Sequence, residues 1–175
     1  MSALPDAEAL VGRLIERLRP LVDAGTGMVG IVTGGAWLAE RLHAALGLKL
    51  PLGRIDISFY RDDYASSGLK ATVRPSEIPF DVNGRDLILV DDVLFTGRTT
   101  RAALNELFDY GRPRSVCLAV LADRDERQLP IAAQIVGAVV KVPSGCNLDL
   151  TRDAAGRFAF VLAPRAGEPG SGGAA

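Results

Sequence analysis

The chain begins with a helical pattern and then changes to short apolar runs. Over Pro5–Leu21, Val11, Ile15 and Leu18 recur at helical spacing, and Leu10, Leu14 and Leu21 widen the stripe. Arg13, Glu16, Arg17 and Arg19 take the opposite face, which predicts an amphipathic helix. Met28–Val32 reads as a buried strand, interrupted by Thr33-Gly34-Gly35. A helical pattern resumes over Trp37–Leu46 and ends at Gly47, a fitting C-terminal cap. His43 falls on its polar side and is expected to be solvated. Arg54–Tyr60 alternates as a strand, with Ile55, Ile57 and Phe59 on one face. Asp62–Pro79 is polar and reads as a long loop, a kind of segment that often carries function. Asp86–Val90 and Ser115–Leu121 are continuous apolar strands flanking a helix over Thr99–Tyr110, which stops at Gly111. Ile135–Val142 and Phe158–Leu162 are further strand candidates. Strands alternating with helices predict an α/β domain with a mainly parallel central sheet. One domain over residues 1–164 is expected, followed by a disordered Gly/Ala-rich tail over 165–175.

Composition narrows the function classes. Twenty basic residues face twenty-one acidic ones, so no global charge draws the chain to nucleic acid or membrane. Only Lys49, Lys70 and Lys141 are lysines, so the basic side chains are mostly Arg. Arginine suits bidentate phosphate contacts, although genome composition is the weightier explanation of such a bias. Cys117 and Cys146 form neither a disulfide framework nor a zinc pattern. His43 is the single histidine, which excludes a His-based triad or a multi-His metal site within one chain. The N-terminal residues lack a secretory pattern and no apolar run approaches the roughly 18 residues of a membrane span, so a cytoplasmic protein is expected.

The informative stretch is Leu87–Thr99: a buried strand, two carboxylates at its carboxyl end, a Thr-Gly loop, then a helix start. Ligands of open α/β sheets bind at strand carboxyl ends. A helix start offers unpaired N–H groups and a positive dipole end to a phosphate. Thr96 and Thr99 add hydroxyls, and Gly97 lets the backbone approach closely. Asp91 and Asp92 are acceptors matched to the vicinal hydroxyls of a ribose, though a Mg²⁺ site or a helix cap would use the same residues. A nucleotide-triphosphate loop is excluded, because Leu50, Ala71 and Val142 follow the lysines where Ser or Thr is required. Thr33-Gly34-Gly35 is either an anion nest or a plain tight turn.

These residues resemble the phosphoribosyl-pyrophosphate signature of type I phosphoribosyltransferases. Ser58–Asp63, Asp91–Thr99, Tyr110–Pro113 and Leu129–Ile131, in that order, resemble the pyrimidine operon regulator family, whose members double as uracil phosphoribosyltransferases. The resemblance implies the type I phosphoribosyltransferase fold with a small hood. It implies transfer of ribose 5-phosphate from phosphoribosyl pyrophosphate to uracil, giving UMP and pyrophosphate, with Mg²⁺ as cofactor. Asp91 and Asp92 would bind the ribose hydroxyls and, with Arg61, form the catalytic set. Thr96, Gly97, Arg98 and Thr99 would bind the 5-phosphate. Thr33, Gly34, Gly35, Arg61 and Asp62 would meet pyrophosphate, Asp62 with its metal. Arg124 and the backbone near Val142 would line the uracil hood, with an exposed loop arginine as the competing reading of Arg124. Phe95 stands where hypoxanthine-guanine enzymes carry Asp, which argues against a 6-oxopurine.

The family implies homo-oligomers and a pyrimidine operon mRNA partner, and here the chain departs from pattern. Asp125-Glu126 replace the family's Gly-His, and Ala132 and Ala138 replace Arg and Lys, while Arg127 is kept. Fewer cations mean weaker phosphate contacts and lower expected RNA affinity. An enzyme and a catalytically weak sensor of UMP or phosphoribosyl pyrophosphate both remain open, because each needs the same pocket.

Overall fold

The computed structural model describes residues 4–58 and 75–165. Helix α1 spans Ala7–Leu18 and is capped by Asp6, whose Oδ1 accepts the Glu8 amide at 2.9 Å. Leu10, Val11, Leu14 and Leu18 are buried as the spacing predicts. The helix ends earlier than expected, because Pro20 cannot continue the α-helical bonds. Arg19–Leu21 tighten into a single 3₁₀ turn, and Leu21 is 53% exposed rather than part of the stripe.

The remaining elements follow as β1 (Gly27–Ile31), α2 (Gly34–Leu46), β2 (Gly53–Ile55), β3 (Asp86–Leu94), α3 (Arg98–Asp109), β4 (Ser115–Asp123), β5 (Ile135–Val139), β6 (Cys146–Arg152) and β7 (Phe158–Pro164). Five strands form a parallel sheet in the order β2-β1-β3-β4-β5. Successive side chains of a strand alternate faces. Accordingly Ile88, Val90, Ala119 and Leu121 join one apolar cluster with α1 and α2. Leu87, Leu89, Leu118 and Val120 join another with α3, through Ala102, Ala103 and Leu107. Both faces of the sheet are covered, which explains why its central strands read as unbroken apolar runs. No helix among the described residues is long and apolar enough to cross a membrane.

Strand β2 is shorter than Arg54–Tyr60, although Ile55 and Ile57 are buried as expected. Phe59, Tyr60 and residues 61–74, including Arg61 and Asp62, lie outside the described residues, as do 166–175. His43 is half-buried, and its Nε2 lies 2.7 Å from the Leu50 carbonyl oxygen. The ring therefore ties α2 to the following chain instead of facing water alone.

Strands β6 and β7 form a separate antiparallel pair, with Leu148 opposite Leu162 and Leu150 opposite Phe160. This is the hood. Leu148, Leu150, Phe158 and Phe160 sink into the cluster beneath α1. Glu8 of α1 accepts the Phe158 amide at 2.6 Å and pairs with Arg41 at 2.9 Å. The Phe158 N–H is the main reason the Glu8 carboxyl titrates below its ordinary value. Arg41 also lies 4.6 Å from the centre of the Phe158 ring and donates to the Gly156 carbonyl.

Candidate functional site

Two connections from β1 and β3 meet at one crevice. From β1 the chain runs through α2 to β2 on one side, whereas β3 leads through α3 to β4 on the other. Strand order therefore reverses between β1 and β3, and a crevice opens beyond their carboxyl ends. Thr33-Gly34-Gly35 leaves one strand there, and Asp91–Thr99 leaves the other.

The glycine pair is part of a helix rather than a free loop. Thr33 is the residue before α2, and Gly34 and Gly35 form its first turn. A Cβ on Gly34 would stand 2.2 Å from Asp92 Oδ2, and one on Gly35 would stand 2.6 Å from the Val90 carbonyl oxygen. The missing side chains let the start of α2 lie directly against the carboxylate pair. The peptide between Val32 and Thr33 is cis.

Strand β3 does not stop before the acids but continues through them to Leu94, because Asp91 and Val93 still pair with Val120 and Ala122 of β4. Asp91 is buried and its Oδ1 accepts the Asp92 amide at 3.0 Å. Asp92 is half-buried and faces Gly34. Strand β3, which was expected to end at Val90, thus fixes both carboxylates.

Beyond Leu94 the chain bends at Gly97, whose φ of +93° favours a residue without Cβ. Buried Thr96 turns its hydroxyl to the Arg98 amide at 3.2 Å. Helix α3 therefore starts at Arg98, one residue before the predicted start. The Thr96 carbonyl accepts the amides of Gln128 and Leu129 at 3.0 and 3.1 Å, and Arg98 Nε donates to Gln128 Oε1 at 3.1 Å. Thr99 is half-buried in the first helical turn.

Arg124 is no exposed loop residue. It is 2% exposed, and its guanidinium donates to Glu126 Oε1 at 2.8 and 3.0 Å and to the Cys146 carbonyl at 3.1 Å. Arg124 lies over the ring of Phe95, and Arg165, where the tail was expected to begin, lies 5.0 Å from the same ring's centre. Val142 is half-buried against the cluster beneath α1, on the connection leading to Cys146. Asp125 pairs with Lys141 at 3.3 Å on the surface, and exposed Glu126 pairs with buried Arg124 at 2.8 Å. Ala132 is exposed and Ala138 is half-buried.

The chain matches known phosphoribosyl transferase domains. The family model described as phosphoribosyl transferase domain matches residues 3–148. A bifunctional protein PyrR from Ralstonia nicotianae is 49% identical over 168 residues, covering 91% of this chain and 95% of that protein. The chain belongs to the PyrR family of phosphoribosyl transferase domains. Another PyrR relative, from Pseudomonas entomophila, is 55% identical over 123 residues, covering 70% of this chain and 72% of the relative. Among solved structures, a hypoxanthine-guanine phosphoribosyltransferase from Bacillus anthracis superposes with a TM-score of 0.64 at 18% identity, covering 81% of this chain and 85% of that one. That likeness establishes the shared fold.

Sequence reasoning brought Thr33–Gly35, Asp91, Asp92 and Thr96–Thr99 forward, and the fold brings them to one crevice. It missed Glu126, Arg127 and Gln128 as supports of that crevice. The available signal was the spacing of Asp123 and Arg127, an i, i+4 ion pair.

Proposed function

We propose that this PyrR-family chain transfers the ribosyl 5-phosphate of phosphoribosyl pyrophosphate to N1 of uracil, in the cytoplasm, and that the same pocket informs regulation of pyrimidine operon mRNA. The observation that carries the reading is the meeting of two backbone features at the strand-order reversal: the Gly34–Gly35 helix start and the Asp91–Thr99 connection. One suits pyrophosphate and the other a ribose 5-phosphate, so a substrate bearing both spans the crevice.

In this reading Asp91 and Asp92 accept the ribose hydroxyls. Thr96, Gly97, Arg98 and Thr99 hold the 5-phosphate, and Thr33, Gly34 and Gly35 face the departing pyrophosphate. The C1′–oxygen bond to pyrophosphate breaks, the bond from uracil N1 to C1′ forms, and the N1 proton is released. Asp92 offers hard oxygen donors beside Gly34, and a magnesium ion that arrives with the substrate's own phosphate oxygens needs no more than one or two such carboxylates. Asp92 would hold it, with Asp62 as the second candidate, and when bound it would neutralise charge on the leaving group. Phe95 and Arg124 give the base an apolar and cationic wall in place of a carboxylate that would serve a 6-oxopurine.

The test is incubation with phosphoribosyl pyrophosphate, Mg²⁺ and labelled uracil, with hypoxanthine and orotate in parallel. UMP from uracil alone is the expected result. No product, with UMP still bound tightly, would assign the pocket to sensing instead.

A further inference from the structure

The Phe95–Gly97 backbone is held from behind by one short segment, Arg127–Ile131. Arg127 uses its whole guanidinium for this. Nη2 meets both carboxylate oxygens of Asp123 at 2.6 Å, Nη1 donates to the Phe95 carbonyl at 2.7 Å, and Nε donates to the Ile131 carbonyl at 2.9 Å. Its side chain is only 22% exposed. The amides of Gln128 and Leu129 then take the next carbonyl, that of Thr96. Ile131 closes the back of Gly97, where a Cβ would stand 3.1 Å from the isoleucine side chain.

A peptide unit is rigid and trans, so its C=O and the N–H of the next residue point in opposite directions. Holding the Phe95 carbonyl from behind aims the Thr96 N–H forward. Holding the Thr96 carbonyl aims the Gly97 N–H forward. We propose that Arg127 is a positioning residue that orients these N–H groups toward the 5-phosphate, an inference that rests on reading Asp91–Thr99 as the phosphate site. Asp123 neutralises the guanidinium, so Arg127 acts by geometry rather than by adding positive charge to the pocket. The fixed fork of Arg reaches Asp123, Phe95 and Ile131 at once, which the compact ammonium of Lys cannot do. The residue kept from the family's basic set is therefore committed inward, to the nucleotide pocket.

Calorimetric titration of ribose 5-phosphate, UMP and uridine into the parent protein, Arg127→Lys and Arg127→Gln tests this. Both variants should lose about ten-fold in affinity for ribose 5-phosphate and UMP, equivalent to about 1.4 kcal/mol, and leave uridine unchanged. The KM for phosphoribosyl pyrophosphate should rise more than kcat falls. Should Arg127→Gln fail to fold, Arg127→Lys, which keeps a charge against Asp123, carries the test. Restored binding in Arg127→Lys alone would reduce the role to charge and overturn the inference. So would parent-like affinity in both variants, whatever their effect on binding a labelled operon leader RNA. If the parent protein binds neither ribose 5-phosphate nor UMP, the phosphate-site reading itself falls and takes this inference with it.

Discussion

The guanidinium of Arg124 lies 3.9 Å from the centre of the Phe95 ring, in a position closed to solvent. A desolvated contact of this kind contributes about 0.5–2 kcal/mol. Phe95→Leu keeps an apolar side chain and removes the ring's attraction for the cation. It should lower stability by about that amount in chemical denaturation. It should also raise the KM for uracil more than the KM for phosphoribosyl pyrophosphate. Equal changes in both constants would remove Phe95 from the proposed base wall.

Asp92 separates folding from ligand binding. It is half-buried beside Gly34 and is not part of either apolar cluster. Hydrogen bonds to a charged group contribute about 1.5–3 kcal/mol each, and two ribose hydroxyls make the loss at least about 100-fold. Asp92→Ala should cut UMP formation by that factor while thermal unfolding stays close to the parent. Transfer at the parent rate would show that the carboxylate pair does not hold the ribose.

The two glycines at the start of α2 should respond differently to alanine. At Gly35 a Cβ meets backbone, the Val90 carbonyl and the Asp91 Cα, neither of which can swing aside. Gly35→Ala should cost about 1–3 kcal/mol of stability, the range for overpacking. At Gly34 the Cβ meets the end of the Asp92 side chain, which can rotate away. Gly34→Ala should keep the melting temperature and lose affinity for phosphoribosyl pyrophosphate. Calorimetry on both variants separates the outcomes.

Asp86 makes a pH prediction. Hydrogen bonds from Arg114, and then Ser115, lower its carboxyl pKa to about 2. Because the folded value lies below the ordinary 3.8, the contribution is present above about 3.8 and is lost as pH falls toward 2. The pair is exposed, so added salt should shrink the effect. Carbon NMR titration of the carboxyl should show the low value, and Arg114→Gln should return it toward the ordinary one.

The central sheet was legible because it is buried on both faces, so Leu87–Val90 and Ser115–Leu121 read as uninterrupted apolar runs. The crevice was legible because its residues lie in two short segments that the reversal of strand order brings together. Strand β6 was missed, although Leu148 and Leu150 alternate with Asn147, Asp149 and Thr151. Half-polar alternation is a weaker signal than a continuous run, and its partner β7 is separated from it by a turn. The boundary of β3 was set too early because Asp91 and Asp92 look like a loop signal. Pairing with β4 overrides that local preference. Arg127 was read through its charge alone, and its bond to the Phe95 carbonyl becomes visible only when distant segments fold onto one another.

Helix α1 precedes in sequence every element that covers it. Its apolar stripe is covered by β5 and by Leu148, Leu150, Phe158 and Phe160, and its Glu8 waits for the amide of Phe158. The part of this face that meets β5, β6 and β7 therefore stays uncovered during synthesis until those strands follow, whereas α2 can cover its share early. For that part of the helix, synthesis and burial are far apart along the chain. Contacts so distant in sequence slow folding and lengthen the exposure of that surface to aggregation.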